Sequence, residues 1–349
     1  SEYGPWTDLY ALGCMVYRLV CGKPPYSAHG FRALHEAHST WPVPRLTPKM
    51  GVPEGLEEWV QTLMAKDPYA RFSCVADAWA ALESLGEAEG WGSVGSSGSG
   101  ATTTSEMPLE PLSLQPTVTD HPVIDWPRPA MTERWQMADA GLVPGFRGVG
   151  LGLYGVRTLP FTGRETLRDE LWEVLRTVHD GAEARAVVLE GPAGVGKSRL
   201  ARWLAERSQE LGAASEMIAS HDVDGGPGTG IQAMLVRALG LRGLSVQQAQ
   251  DHLTRRWQFL DGDTGELLAR GLVGEGPGSE GERRGVWRLA LEVAAQARPL
   301  VVLLEDSVWG LESVAFVHWV LDQAAVPAVF ILTVRSEDIG QTEGAGEAL

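Results

Sequence analysis

Cysteine is scarce in this chain. There are three, Cys14, Cys21 and Cys74, all in the first quarter of 349 residues. An odd, sparse set without metal-ligand spacing excludes a disulfide framework and reads as reduced thiols of a cytosolic protein, so a cytoplasmic location is expected. Long apolar runs are lacking too. Pro299–Leu304 and Val326–Val334 are strand-length, so no membrane span is expected, and no signal peptide is visible. Positive charge is in deficit: 29 Lys and Arg stand against 45 Asp and Glu, a net charge of -16. Backbone recognition of nucleic acid needs clustered Lys and Arg, so no nucleic-acid partner is expected. His221-Asp222-Val223-Asp224 has no second ligand cluster nearby and reads as a polar loop running into Gly225-Gly226-Pro227-Gly228, not as a metal site. The chain starts at Ser1, and its first residues read as the interior of a domain, so a piece of a longer protein is expected.

Three regions separate by composition. Residues 1–86 are helical in pattern. Residues 87–158 read as a flexible linker, with Gly92–Gly100 a Gly/Ser run followed by Thr, Ser and Pro. Such a segment buries too little apolar surface to offset its ordering entropy. Its later part, Gly141–Tyr154, is more apolar and is expected to dock onto the region downstream of it. From residue 159 to 349, strand-like runs alternate with helical patterns, which predicts a parallel sheet flanked by helices.

Ala186–Glu190 reads as a short buried strand. Gly191-Pro192-Ala193-Gly194-Val195-Gly196-Lys197-Ser198 comes next, and Arg199–Gln209 then reads as an amphipathic helix with Leu200, Trp203 and Leu204 on one face. Strand, Gly-rich loop and helix in this order form a phosphate cradle. Glycines let backbone N–H groups converge on phosphate oxygens, and the helix N-terminus adds partial positive charge. The residues Gly191 to Arg199 are therefore expected to bind ATP. Lys197 is expected to reach the β- and γ-phosphates, and the Ser198 hydroxyl to ligate Mg²⁺.

A second acidic element is expected on another strand. Arg298–Asp306 supplies an apolar strand with Glu305 and Asp306 at its C-terminal end, the edge where ligands of open α/β sheets bind. Glu305 is assigned to the Mg²⁺ shell and Asp306 to orienting the attacking water. The competing reading makes both acids caps of a helix starting near Ser307. Ala328–Arg335 is a third strand-like run, and Arg335 at its end is assigned to transition-state charge, against the alternative of an ordinary solvated Arg.

Residues 159–349 resemble the ATPase domain of the AAA-like and STAND group of bacterial signalling proteins. Phe161-Thr162-Gly163-Arg164-Glu165, Gly191–Leu200 at the Walker A, Pro299–Trp309 at the Walker B and Thr333-Val334-Arg335 at the sensor strand carry the resemblance. Two departures stand out. Gly310-Leu311 replace an Ala-Asp pair frequent in the family, and Glu305 stands where Asp is commoner. The resemblance implies a helical lid beyond Leu349 and assembly into a homo-oligomer through the ATPase domain.

In the first region, Leu9–Val20 reads as a buried helix with Thr7 or Asp8 as N-cap and Gly22 as its stop. Leu56–Met64 and Val75–Leu85 read as amphipathic helices, the latter with Trp79 and Leu82 on its apolar side. Trp6–Gly13 through Gly22-Lys23-Pro24-Pro25-Tyr26, and Leu63–Arg71, resemble the central helix and the terminal segment of a eukaryotic-like Ser/Thr protein kinase C-lobe. The resemblance implies that the Gly-rich loop, H-R-D, D-F-G and A-P-E lie before Ser1. Arg71 is then expected to lack its Glu partner, which predicts that residues 1–86 alone are unstable.

The expected fold class is multidomain: an all-α kinase C-lobe remnant plus an α/β P-loop NTPase domain. The expected function is an ATP-dependent switch fused to a Ser/Thr kinase, whose partners are ATP and the kinase's protein substrates or signalling partners. The alternative is a nucleotide-binding interaction module with negligible turnover. An origin-recognition-like ATPase acting on DNA is a third reading, disfavoured by the acidic balance.

Overall fold

The computed structural model describes residues 5–86, 126–136 and 161–341, apart from 227, 275–277 and 324–325, together with residue 346. The Gly/Ser run at 92–100 and the expected docking stretch at 141–154 lie outside the described residues. The chain divides into two compact units, residues 1–129 and 130–349.

The first unit is helical: α1 (Pro5–Cys21), α2 (Phe31–Thr40), α3 (Leu56–Leu63), a 3-10 turn at Pro68–Ala70 and α4 (Val75–Ser84). Leu9, Tyr17, Trp59, Val60, Leu63 and Met64 form its core with Ala78 and Ala81. Gly13 lets α1 and α3 close up. A Cβ there would sit 2.6 Å from Met64 Cγ and 2.9 Å from Leu63 Cβ. Three sequence expectations are corrected. Thr7 and Asp8 lie inside α1, which opens at Pro5, a residue that suits the first helical position because its missing N–H would be unpaired there. Trp79 is 59% exposed, because the small residues Ala78 and Ala81 are what α4 turns to the core. Arg71 is not orphaned: its guanidinium donates to Ala65 O and Trp6 O, both at 2.7 Å, and stacks over Tyr10. Backbone carbonyls hold the guanidinium where the resemblance left it without its Glu partner.

Inside the 87–158 range, residues 126–136 make specific contacts. Trp126 packs on Phe72 and donates to Thr62 Oγ1 at 3.2 Å in the first unit. Trp135 belongs to the second unit. It meets Trp203 edge-on and donates to Asp169 Oδ1 at 2.7 Å, while the buried Arg168 guanidinium lies over its ring. Arg207 Nε donates to its carbonyl at 2.7 Å.

The second unit is a four-stranded parallel sheet flanked by helices. Its strands are β1 (Arg185–Gly191), β2 (Ser215–Ser220), β3 (Leu300–Glu305) and β4 (Ala328–Arg335), in the order β1-β4-β3-β2. Alternation along β3 and β4 sorts the two layers. Val301, Leu303, Val329 and Ile331 face α5 (Glu165–Gly181) and α6 (Lys197–Glu210). Leu300, Val302, Leu304, Phe330 and Leu332 face the larger helical layer: α7 (Gly230–Ala238), α8 (Val246–Arg256), α9 (Gly262–Val273), α10 (Glu280–Ala295) and α11 (Leu311–Gln323). β3 is buried along almost its whole length, as expected for a strand covered on both faces. β1 is different: it is one of the two edge strands, with β2 at the other side, among the described residues, and Val188 is 43% exposed. The expectation of a buried β1 is corrected, because strand order, not local sequence, decides which strand stands at the edge.

Candidate functional site

The C-terminal edge of the sheet gathers the chemistry. The loop from β1 to α6 turns through Gly191, Gly194 and Gly196 at φ 155°, 78° and 89°. Only glycine adopts these angles readily, so the loop can turn its backbone amides inward. Gly196 caps α6 and Lys197 opens it. The Lys197 ammonium donates to Gly191 O at 2.7 Å and Pro192 O at 2.9 Å. The Arg164 guanidinium donates to Val195 O and braces the loop from the start of α5.

A cavity of about 310 Å³ opens there, lined by Ala193, Gly194, Gly196, Lys197, Ser198, Arg199, Asp306, Thr333 and Arg335. Most residues singled out in the sequence thus meet at one place, although β1, β3 and β4 come from distant parts of the chain. Asp306 has a left-handed backbone (φ 52°) and its side chain caps nothing. It pairs with Arg335 instead, Nε to Oδ1 at 3.3 Å. Arg335 is half exposed yet leans over the cavity and is not simply solvated.

Glu305 behaves differently. It is absent from the cavity lining, and both carboxylate oxygens accept from Arg202 of α6, at 2.8 Å from Nε and 2.9 Å from Nη2. Hydrogen bonding to Glu305 raises the Arg202 pKa further, fixing the guanidinium as a cation. The Glu305 carbonyl is held by His221 through its N–H at 3.2 Å and through Nδ1 at 2.9 Å. A carbonyl can only accept, so Nδ1 carries the proton and Nε2 accepts from Ser313 Oγ at 2.8 Å. Burial lowers the His221 pKa, in keeping with a neutral ring.

Four contributors had no role assigned to them from the sequence. Thr333 is buried at the end of β4, and its Oγ1 accepts from Asp306 N at 3.1 Å. Glu337, just beyond β4, accepts from the Ala193 amide at 3.1 Å. This carboxylate lies against the same loop that a phosphate would use, and its own backbone N–H, the Ala193 amide and the charges of Lys197 and Arg335 depress its pKa. Arg202 and His221 complete the set. Two advance signals were there: Thr333 belongs to the sensor-strand motif, and Arg202 stands four residues after Ser198, on the same helix face.

The donors suit a triphosphate with Mg²⁺. Backbone amides and Lys197 are anion donors, while the Ser198 hydroxyl and Asp306 carboxylate are hard oxygen ligands of the kind Mg²⁺ takes. Among the described residues no cluster of His, Cys, Asp and Glu forms a separate metal site. No described helix is long and apolar enough to cross a membrane.

Comparison with known proteins agrees with this arrangement. Residues 160–317 match the AAA ATPase domain family. That match spans the loop, α6 and β3, and stops before β4, so Thr333, Arg335 and Glu337 lie beyond it. A 90-residue stretch is 34% identical to the serine/threonine-protein kinase PknJ of Mycobacterium tuberculosis, covering 24% of this chain and 15% of that protein. An 82-residue stretch is likewise 34% identical to the serine/threonine-protein kinase PknH of the same organism, covering 23% of this chain and 13% of PknH. The chain thus spans only about 15% of the length of the curated relatives it matches.

Proposed function

We propose that the second unit binds ATP with Mg²⁺ and works as a nucleotide-dependent switch in a signalling protein that also carries Ser/Thr kinase sequence. One observation carries the reading: a glycine-turned loop, Lys197, Ser198 and Asp306 surround one cavity at the C-terminal edge of a parallel sheet. The kinase part rests on the partial identity to PknJ and PknH and on the residue strings at 6–26 and 63–71. In this reading residues 1–86 are the C-terminal part of a kinase domain, 87–158 join it to the ATPase domain, and 159–349 hold the nucleotide.

The backbone N–H groups of residues Ala193 to Ser198 receive the phosphates, together with the N-terminal dipole of α6. Lys197 exchanges its carbonyl partners, Gly191 and Pro192, for phosphate oxygens. Ser198 and Asp306 hold the metal, which would neutralise phosphate charge as it develops. Glu305 joins that shell only if Arg202 releases it. Asp306, anchored by Thr333 at its N–H, is placed to orient a water, and Arg335, paired with it at the cavity, is the cation for transition-state charge. Arg199 lines the cavity mouth.

A second reading, a binding module with negligible turnover, draws support from the acids themselves. Asp306 is paired with Arg335 and Glu305 with Arg202, so neither carboxylate is free to act as a base. Both readings require nucleotide affinity. Calorimetric titration with ATP is expected to show Lys197→Ala binding weaker by roughly ten- to a hundred-fold, the worth of one charge-assisted contact. Equal binding by both proteins would end the proposal. Turnover that falls in Asp306→Ala supports hydrolysis, and turnover unchanged in that variant supports the binding module.

A further inference from the structure

Arg202 occupies a telling position. It lies one helical turn beyond Ser198, so the face of α6 that offers the Ser198 hydroxyl also offers a guanidinium just below it. That guanidinium grips Glu305 through two nearly parallel bonds at 2.8 and 2.9 Å. The Glu305 carboxylate is only 14% exposed, and its backbone carbonyl is separately fixed by His221. Both ends of the residue are therefore held, and the carboxylate is kept out of the cavity that Ser198 and Asp306 share. Glutamate is one methylene longer than the commoner aspartate, and that extra length lets it reach α6. Glu206, one further turn along and loosely paired with Arg199 at 3.7 Å, is a second acidic neighbour of Arg202, so the guanidinium has an alternative carboxylate on its own helix to share.

We propose that Arg202 is a positioning residue that holds Glu305 off the Mg²⁺ position, so that full metal engagement requires the Arg202–Glu305 pair to open. The idea rests on the nucleotide-binding reading above and adds a regulatory step to it. Metal binding competes with an internal cation for one carboxylate. The state with the pair closed has a weak metal site, formed by Ser198 and Asp306 alone. The state with the pair open has Glu305 in addition, and Arg202 turned toward Glu206.

The test uses the whole chain loaded with ADP and reads Mn²⁺ binding by electron paramagnetic resonance, independently of turnover. Arg202→Gln keeps the size and helix propensity of the residue and removes the charge. It is expected to tighten Mn²⁺ binding by about tenfold, the effect of removing one opposing charge-assisted contact. Arg202→Lys keeps the charge without the fork, so its gain should be smaller. On a Glu305→Gln background the Arg202→Gln gain should vanish, because the carboxylate it frees is gone. Wild-type or weaker Mn²⁺ affinity in Arg202→Gln overturns the proposal, and so does a gain that survives Glu305→Gln. Metal-free ADP binding separates the two levels. If it does not depend on Lys197, the nucleotide reading itself fails. If it does and Mn²⁺ affinity stays unchanged, only the role of Arg202 falls.

Discussion

At the residue scale, the sharpest constraint is Gly310. It stands with Leu311 where the resembled family often has Ala-Asp, and His221 accounts for the glycine. A Cβ at Gly310 would lie 2.1 Å from His221 Cδ2, which is impossible without moving the ring that braces the Glu305 carbonyl. Gly310→Ala should therefore destabilise the second unit by about 1–3 kcal/mol, the usual cost of overpacking, measurable by urea unfolding. His221 itself makes stability pH-dependent. Its folded pKa lies below the ordinary imidazole value of about 6.5, so below that pH the unfolded chain binds more protons than the folded one. Stability should then fall as pH drops below about 6.5, and His221→Gln should flatten that slope in denaturation curves taken between pH 7 and 5. Glu337 yields a third expectation. Removing its charge in Glu337→Gln should strengthen ATP binding several-fold at low ionic strength, since a carboxylate beside Ala193 N repels phosphate. Titrations that show no gain would leave Glu337 a bystander.

Residues in one contiguous string were legible, because the loop's chemistry is local: the glycines act through their backbone, and Lys197 and Ser198 offer side chains at the start of the helix that follows. The roles of Thr333, Glu337, Arg202 and His221 were not. Each acts on a residue far away in sequence, and only the sheet order brings them together. Glu305 shows the limit from the other side. Its position after an apolar strand was readable, while the guanidinium that occupies it was not.

At the element scale, the segment at 130–136 is the instructive case. Its neighbours are rich in Thr, Ser and Pro, and nothing local distinguishes it. Its order comes from Trp135, seated among Arg168, Trp203 and Asp169, and from Arg207 gripping the Trp135 carbonyl. Those partners sit on α5 and α6, so a short pre-domain strap is fastened to the helix that carries Lys197. Trp135→Ala should cost on the order of 2 kcal/mol, less than a fully buried Trp because this one is partly exposed, and should speed proteolysis around residue 134. Helical patterns were legible where apolar residues recur, as in α3 and α6. They misled at Trp79, where large size suggested burial and small alanines took the core instead.

At the whole-molecule scale, each of the two units has its own apolar core. Ligand that binds only the folded second unit should stabilise that unit by about 2.7 kcal/mol at a hundredfold excess over Kd. Calorimetry should show the second unit's transition rising with ATP and Mg²⁺ while the first unit's stays in place. A common shift of both would mean that the units unfold as one.

The edge position of β1 has a kinetic meaning. Among the described residues its hydrogen-bonding neighbour is β4, with Arg185 opposite Val329, so nearly all the rest of the sheet and its helices lie between the two in sequence. β3 and β4 are close in sequence and β2 joins β3 across a shorter span, whereas β1 must pair with the last strand across the longest loop of the sheet, which is slow. The phosphate loop should thus be seated last. In a refolding experiment, capture of a fluorescent nucleotide should lag behind the recovery of helix, so that nucleotide affinity reports completion of the sheet.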